Sequence, residues 1–215
     1  MTKHPAALVV ALMTALAGLH SSAAELLQQR SAKEQNSLDA EWLEHVLEIN
    51  EGSVVGEIGA GDGELTLLVA AAVGRSGRVL SNELNSDRVK TIAAAAAGAG
   101  FTNVTPVQGA ESETKFPDQC CDAIFMRDVY HHFSDPPTMN ASILKSLRPG
   151  GNLAIIDFTP PPTPGSENPP GHRGEDNHHG ITVATLAREL KAAGFEIVQA
   201  TTEDRAVKVV ARRPR

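Results

Sequence analysis

From Ser53 onward, short apolar runs alternate with segments that repeat at helical spacing. Val54–Ile58 has the length and composition of a buried strand, and Glu64–Val73 follows it as a helix. Arg78–Asn82 is a second strand. Asp87–Ala97 is an alanine-rich helix, with Asn85 or Ser86 as its cap and Gly98 and Gly100 at its end. Val104–Gln108 and Ala123–Arg127 are the third and fourth strands. Asp135 opens a helix with Pro136 at the tolerated first position, and Arg148-Pro149-Gly150-Gly151 stops it after Leu147. Asn152–Asp157 is a fifth strand and Thr182–Ala193 a helix ended by Gly194. Phe195–Thr201 and Ala206–Ala211 read as a closing hairpin around Glu203-Asp204. Upstream, Trp42, Leu43, Val46 and Leu47 share one face of a helix over Asp39–Ile49, a flank for the main sheet. Glu25–Asn36 is polar, a fraying stretch or a short helix.

Alternation of this kind predicts an α/β three-layer sandwich. The sheet is mostly parallel and seven-stranded, and its C-terminal hairpin is antiparallel. Thr159–Gly180 breaks the pattern: it is rich in proline, glycine and histidine, and it leaves from the end of a strand. A loop this long in a compact domain is functional or disordered. Open parallel sheets bind ligands at their carboxyl edge, so the loop is expected on the substrate side, with His172 and His178 as candidate contacts.

The 215 residues suit one domain, and 41% hydrophobic content is enough to bury a core. A net charge of −7 and only 4% aromatic residues argue against a nucleic-acid partner, which calls for a basic face or stacking platforms. The basic cluster Arg212, Arg213 and Arg215 is expected to be a solvated tail. Cys120 and Cys121 are adjacent, which excludes an ordinary disulfide. The first residues have the pattern of an export signal over 1–24. Lys3 and His4 precede an apolar stretch from Ala6 to Ala17 that is too short to span a bilayer. Ser22 and Ala24 stand at the −3 and −1 positions of a cut that leaves 25–215 as the mature domain. An exported chain, periplasmic or secreted, is expected; a cytoplasmic one is the alternative.

Chemistry concentrates after the first strand, in Glu57-Ile58-Gly59-Ala60-Gly61-Asp62-Gly63. Glycines let the backbone turn sharply beside a ligand, and the following helix offers free N–H groups and positive partial charge to an anion. Glu83, just after the second strand, can accept hydrogen bonds from two ribose hydroxyls. A glycine turn with a downstream acid also occurs in dinucleotide enzymes, so these two features leave the ligand open.

Further motifs narrow it. Phe116-Pro117-Asp118-Gln119-Cys120-Cys121-Asp122-Ala123-Ile124 precedes and opens strand four, Leu147-Arg148-Pro149-Gly150-Gly151-Asn152-Leu153 precedes strand five, and Ala193-Gly194-Phe195 opens the hairpin. With Glu57–Gly63 and Glu83, this ordered set resembles the class I, Rossmann-like S-adenosylmethionine (SAM)-dependent methyltransferases. Arg127-Asp128-Val129-Tyr130-His131-His132-Phe133 resembles a subgroup of small bacterial members.

The resemblance implies SAM as cofactor and a small-molecule methyl acceptor as partner. It places Glu57 near the ammonium of SAM, with Gly59, Ala60, Gly61 and Gly63 around the methionine part. Glu83 and Leu84 fall at the ribose, Ala110 and Glu111 at the adenine, and Arg127 and Asp128 on the pocket wall. Many relatives carry Asp where this chain has Ala110, so Glu111 or Glu113 must take over adenine recognition. His131 and His132 are candidate bases for an acceptor that loses a proton, and Tyr130 a candidate substrate contact. No metal is expected: His172, His178, His179, Asp128 and Asp157 match no ligand spacing, and Phe158 replaces the Asn of metal-dependent members. Two alternatives stay open, a non-catalytic SAM- or nucleotide-binding protein and an NAD(P)-dependent oxidoreductase.

Overall fold

The structure, a computed structural model, describes residues 28–162, 167–174 and 179–215. The expected export segment 1–24 and His178 lie outside the described residues. Two compact units are distinguished, Met1–Asp39 and Ala40–Arg215. In the first, residues 28–39 are helical. The polar stretch is thus helix over its described part, braced by Gln35, which donates to Asp39 at 2.9 Å.

The second unit opens with helix α1, residues 40–46. Among the described residues, seven strands and four further α-helices follow: β1 Val54–Ile58, α2 Glu64–Ala72, β2 Arg78–Glu83, α3 Ser86–Gly98, β3 Val104–Gln108, β4 Cys121–Arg127, α4 Pro136–Ser146, β5 Leu147–Phe158, α5 Val183–Ala192, β6 Glu196–Glu203 and β7 Ala206–Arg212. Three of these helices begin at a side-chain cap, the expected Asn85 among them. The Asn85 side chain accepts the N–H groups of Asp87 and Arg88 at α3, Asp135 that of Thr138 at α4, and Thr182 that of Thr185 at α5.

The sheet order is β3-β2-β1-β4-β5-β7-β6. β1 to β5 pair in parallel, and β7 is antiparallel to both of its neighbours. The seven-stranded α/β sandwich expected from the sequence is therefore the observed fold. β5 begins earlier than its apolar run: Leu147 pairs with Cys121, and the register shifts between Cys121 and Ala123 to absorb the Pro149-Gly150-Gly151 turn.

Side-chain alternation sorts the central strands onto two cores. Ile124 and Met126 of β4 and Leu153 and Ile155 of β5 join Tyr130, Ile143 and Leu186 on one face. Ala123, Phe125, Ala154 and Ile156 join Leu65, Val69 and Leu43 on the other. Leu43 and Leu47 are buried as expected, while Trp42 is only partly covered and carries Lys208 over its ring.

Of the C-terminal arginines, Arg215 is exposed, but Arg212 and Arg213 are not a solvated tail. Arg213 donates to the carbonyls of Leu144 and Leu147 at 2.9 and 2.5 Å, and Arg212 to Asn152 Oδ1 at 3.0 Å. Carbonyls at the end of α4 lack helical donors, and the guanidinium supplies them. Both cysteines are free thiols, with Cys121 buried at the start of β4.

The order in which strands are added to the sheet reverses between β1 and β4, which themselves run parallel. From β1 the chain moves outward to β2 and β3, then returns to β4 on the other side. At such a switch point the loops after the two strands diverge and leave a cleft at their carboxyl ends.

Candidate active site

Two cavities occupy that cleft and share Gly59, Gly61, Arg127 and Asp128 as walls. The smaller, about 270 Å³, is also lined by Glu57, Ala60 and Asp62. The larger, about 520 Å³, is also lined by Glu83, Leu84, Ala110, Glu111, Val129, His132 and Met139. That volume suits a small-molecule ligand.

The glycine loop is shaped by backbone demands. Gly59, Gly61 and Gly63 have φ of 70°, 58° and 86°, a region that side chains disfavour. A Cβ on Gly59 would stand 2.4 Å from Cγ2 of Val129, whereas one on Gly61 would meet nothing within 4 Å. Gly59 is thus closed off by the loop after β4, and Gly61 faces open space. Asp128, at φ 56°, takes the same rare conformation, and its N–H bonds the Ile156 carbonyl at 2.9 Å. Left-handed backbone at a non-glycine residue beside a cavity is the kind of strain that collects at binding sites.

Two buried acids frame the loop. Glu83 accepts the N–H of Gly61 at 2.9 Å through one oxygen and that of Asn85 at 3.0 Å through the other. Each oxygen keeps a further lone pair for a ligand hydroxyl. Glu57 accepts a hydrogen bond from the Thr66 hydroxyl, which also meets Ser81 Oγ at 2.8 Å. Burial pushes the Glu57 carboxyl up to about 8, against the opposing pull of Thr66 and Arg127.

Of the residues expected at the cofactor, Gly63 alone lines neither cavity; it is the N-cap of α2. Glu111 faces the larger cavity, while Glu113 is turned away into contact with Lys115 and bonds Ala110 through its backbone. Phe133, the last residue of the Arg127–Phe133 motif, also lines the larger cavity, as do Asn82, Arg88, Ser134 and Met139, which had no sequence signal beyond lying near β2 or after β4.

The expected acceptor-side residues separate. Tyr130 is fully buried, receives Asn140 Nδ2 at 2.7 Å and donates to Glu189 at 3.1 Å, so it belongs to the core. His172 sits on an exposed turn and lines neither cavity. His132 lines the larger cavity, and burial together with its histidine neighbours lowers its affinity for a proton. His131 is buried behind it. Its Nδ1 lies 2.8 Å from Asp157 Oδ1, and its Nε2 lies 2.6 Å from Nε2 of His179. Asp157 and His179 thus join the expected histidine pair, although His179 lies 48 positions from His131.

The chain is similar to known proteins. Residues 56–155 match a family model described as "Methyltransferase domain". Over 124 residues the chain is 29% identical to the ubiquinone/menaquinone biosynthesis C-methyltransferase UbiE of Marinomonas sp., covering 56% of this chain and 49% of that protein. Over 108 residues it is 35% identical to phosphoethanolamine N-methyltransferase of Triticum aestivum, covering 48% of this chain and 21% of that protein. The chain thus spans half or less of these relatives. A SAM-dependent methyltransferase from Aquifex aeolicus superposes with a TM-score of 0.70 at 22% identity, over 81% of this chain and 89% of that one. The chain carries the class I, Rossmann-like SAM-dependent methyltransferase fold, with a methyltransferase domain matched over residues 56–155.

Proposed function

We propose that the chain transfers a methyl group from SAM to a small-molecule acceptor. One observation carries this reading: the buried acids Glu57 and Glu83 stand on either side of the open glycine turn, and both face the cleft between β1 and β4. The smaller, acid-lined cavity takes the methionine part, whose ammonium meets Glu57. Glu83 holds the ribose through the lone pairs left free by Gly61 and Asn85. The adenine lies in the larger cavity against Leu84 and Ala110, with Glu111 in reach of its amine. Relatives that are named C- and N-methyltransferases support methyl transfer while differing in acceptor.

Holding nucleophile and sulfonium in line supplies much of the catalysis. His132 is the histidine presented to an acceptor in the larger cavity, and His131, held by Asp157, supports it from behind. The net charge of −7 favours a small molecule over a nucleic acid as acceptor. No helix among the described residues is long and apolar enough to cross a membrane. Residues 1–24 direct export, a reading supported by their sequence pattern. N-terminal sequencing after expression in a bacterial host tests it: a mature start at Glu25 is expected, and an intact Met1 would refute it.

Mass spectrometry of the purified protein and calorimetry with SAM and NAD test the activity reading. Co-purified SAM or its demethylated product, and SAM binding without NAD binding, are expected. Tight binding of NAD without SAM would overturn it.

A further inference from the structure

Three imidazoles meet at the carboxyl edge of β4 and β5. His131 and His132 leave the turn after β4, and His179 reaches them from the chain preceding α5. One ring nitrogen from each lies within 4.8 Å of the other two. The ring centroids of His131 and His132 are 4.0 Å apart, and those of His131 and His179 are 4.4 Å apart. Methyl transfer needs at most one base, so it leaves this convergence unexplained.

The hydrogen bonds around His131 fix its tautomer. Asp157 takes the Nδ1–H through Oδ1 at 2.8 Å and the His131 backbone N–H through Oδ2 at 3.2 Å. Nε2 then carries the lone pair, and it faces Nε2 of His179 at 2.6 Å. A carboxylate on the far nitrogen is the usual support of a metal-ligating imidazole: it sets the ring's direction and raises its basicity. Two nitrogens on one tetrahedral zinc-sized ion, with bonds of about 2.0–2.1 Å, stand about 3.3 Å apart. The observed separations, from 2.6 Å up to 4.8 Å, bracket that value. His132 and His179, which are not locked by other ring hydrogen bonds among the described residues, would have to rotate to reach it.

We propose that His131, His132 and His179 bind one divalent transition-metal ion of the zinc class. Three neutral nitrogens favour zinc, cobalt, nickel or copper over magnesium and calcium, which take oxygen ligands. Three protein ligands leave a fourth position open. His132 lines the larger cavity, so the ion lies at that cavity's edge, where an oxygen, nitrogen or sulfur of a small molecule can complete its coordination. Binding of the ion is independent of the methyltransferase reading; only its meeting with an acceptor rests on it.

The test uses the full chain without a polyhistidine tag, stripped with a chelator and titrated with Co²⁺ alone. One equivalent should give the visible ligand-field absorption of a four-coordinate site, and Zn²⁺ should abolish it by displacement. Zn²⁺ calorimetry should show one ion per chain. His179→Ala should weaken that binding at least tenfold, and Asp157→Asn about 10–100-fold. No absorption at one equivalent, or absorption unchanged in His179→Ala, overturns the proposal. If His179→Ala does not fold, His132→Ala replaces it and must lose the same absorption. SAM calorimetry on the stripped chain runs alongside: metal binding without SAM binding defeats the cofactor reading alone, and SAM binding without metal binding defeats this one alone.

Discussion

Glu83 accepts the backbone N–H of Gly61 at 2.9 Å, a bond that ties the end of β2 to the glycine turn after β1. The acid therefore shapes the turn as well as facing the cavity. Glu83→Ala is expected to weaken SAM binding by about 1–3 kcal/mol, the loss of charge-assisted hydrogen bonds at a buried acid. Because the N–H groups of Gly61 and Asn85 also lose their acceptor, the melting temperature of the free chain should fall too. Calorimetry and a thermal scan measure the two effects. An unchanged dissociation constant would move the ribose contact elsewhere.

Glu57 gives the site a pH dependence whose sign follows from burial. In the free chain its carboxyl holds a proton up to about pH 8, against an ordinary 4.5. This contribution to stability is full below about pH 4.5 and is lost as pH rises toward 8, because the folded state binds the extra proton throughout that window. The ammonium of SAM favours the carboxylate, so binding at pH 7 should release a proton. Affinity should rise by up to about tenfold per pH unit toward pH 8. Calorimetry at pH 7 in two buffers of different ionisation enthalpy reads the released proton directly. Glu57→Gln should bind SAM more weakly and release none. Proton uptake in the wild type would contradict the assigned partner.

Gly59 should not tolerate a side chain. Its φ of 70° costs a non-glycine residue about 1–2 kcal/mol, and the added Cβ would stand 2.4 Å from Val129 Cγ2. With the overpacking cost, Gly59→Ala should lose about 2–5 kcal/mol in urea unfolding. Adding Val129→Ala removes the two Cγ contacts at 2.4 and 3.0 Å but leaves the Val129 Cβ at 3.3 Å and the backbone strain in place, so the double variant should recover only part of the loss. Full recovery would mean that neither the backbone conformation nor the remaining Cβ contact carries a cost there.

The alternation of apolar runs and helical repeats made the sheet legible in the sequence, because each strand's face is set by period two alone. Ile124 and Met126 could go only to one core, and Phe125 only to the other. The cofactor end was legible for a related reason. A turn that needs left-handed backbone writes itself in glycine, and an acid at the end of a strand has few positions to occupy. The acceptor end was not. Tyr130 sits in the same short motif as His131 and His132, yet a tight turn after β4 sends its ring into the core and His132 toward the cavity. Nothing in the residue types announces that division. His179 escaped for another reason: its partners are far away in sequence, and only the path of the chain before α5 brings them together. The Arg213 contacts were hidden likewise, since a charged C-terminus reads as solvated until the end of α4 is placed beside it.

His132 and His131 should respond differently to replacement. His132 borders the larger cavity and has no ring hydrogen bond among the described residues, whereas His131 is buried and bonded at both nitrogens. His132→Ala should lower turnover by about 10²–10⁴, the usual loss of a general base, and leave SAM affinity within about twofold. His131→Ala should lower turnover as well, and in addition cost about 1–3 kcal/mol of stability. That figure is modest because Asp157 keeps the backbone N–H groups of His131 and Phe158, at 3.2 and 2.8 Å. The assay needs an acceptor, so a screen of SAM turnover with phenols, amines, thiols and quinols comes first. Each variant is then compared with a chelator present and again with Zn²⁺ added. A rate loss under both conditions belongs to the imidazole itself, and one seen only with zinc belongs to the ion. Full activity of His132→Ala under both conditions would remove histidine from the chemistry and leave alignment of acceptor and methyl group as the source of the rate.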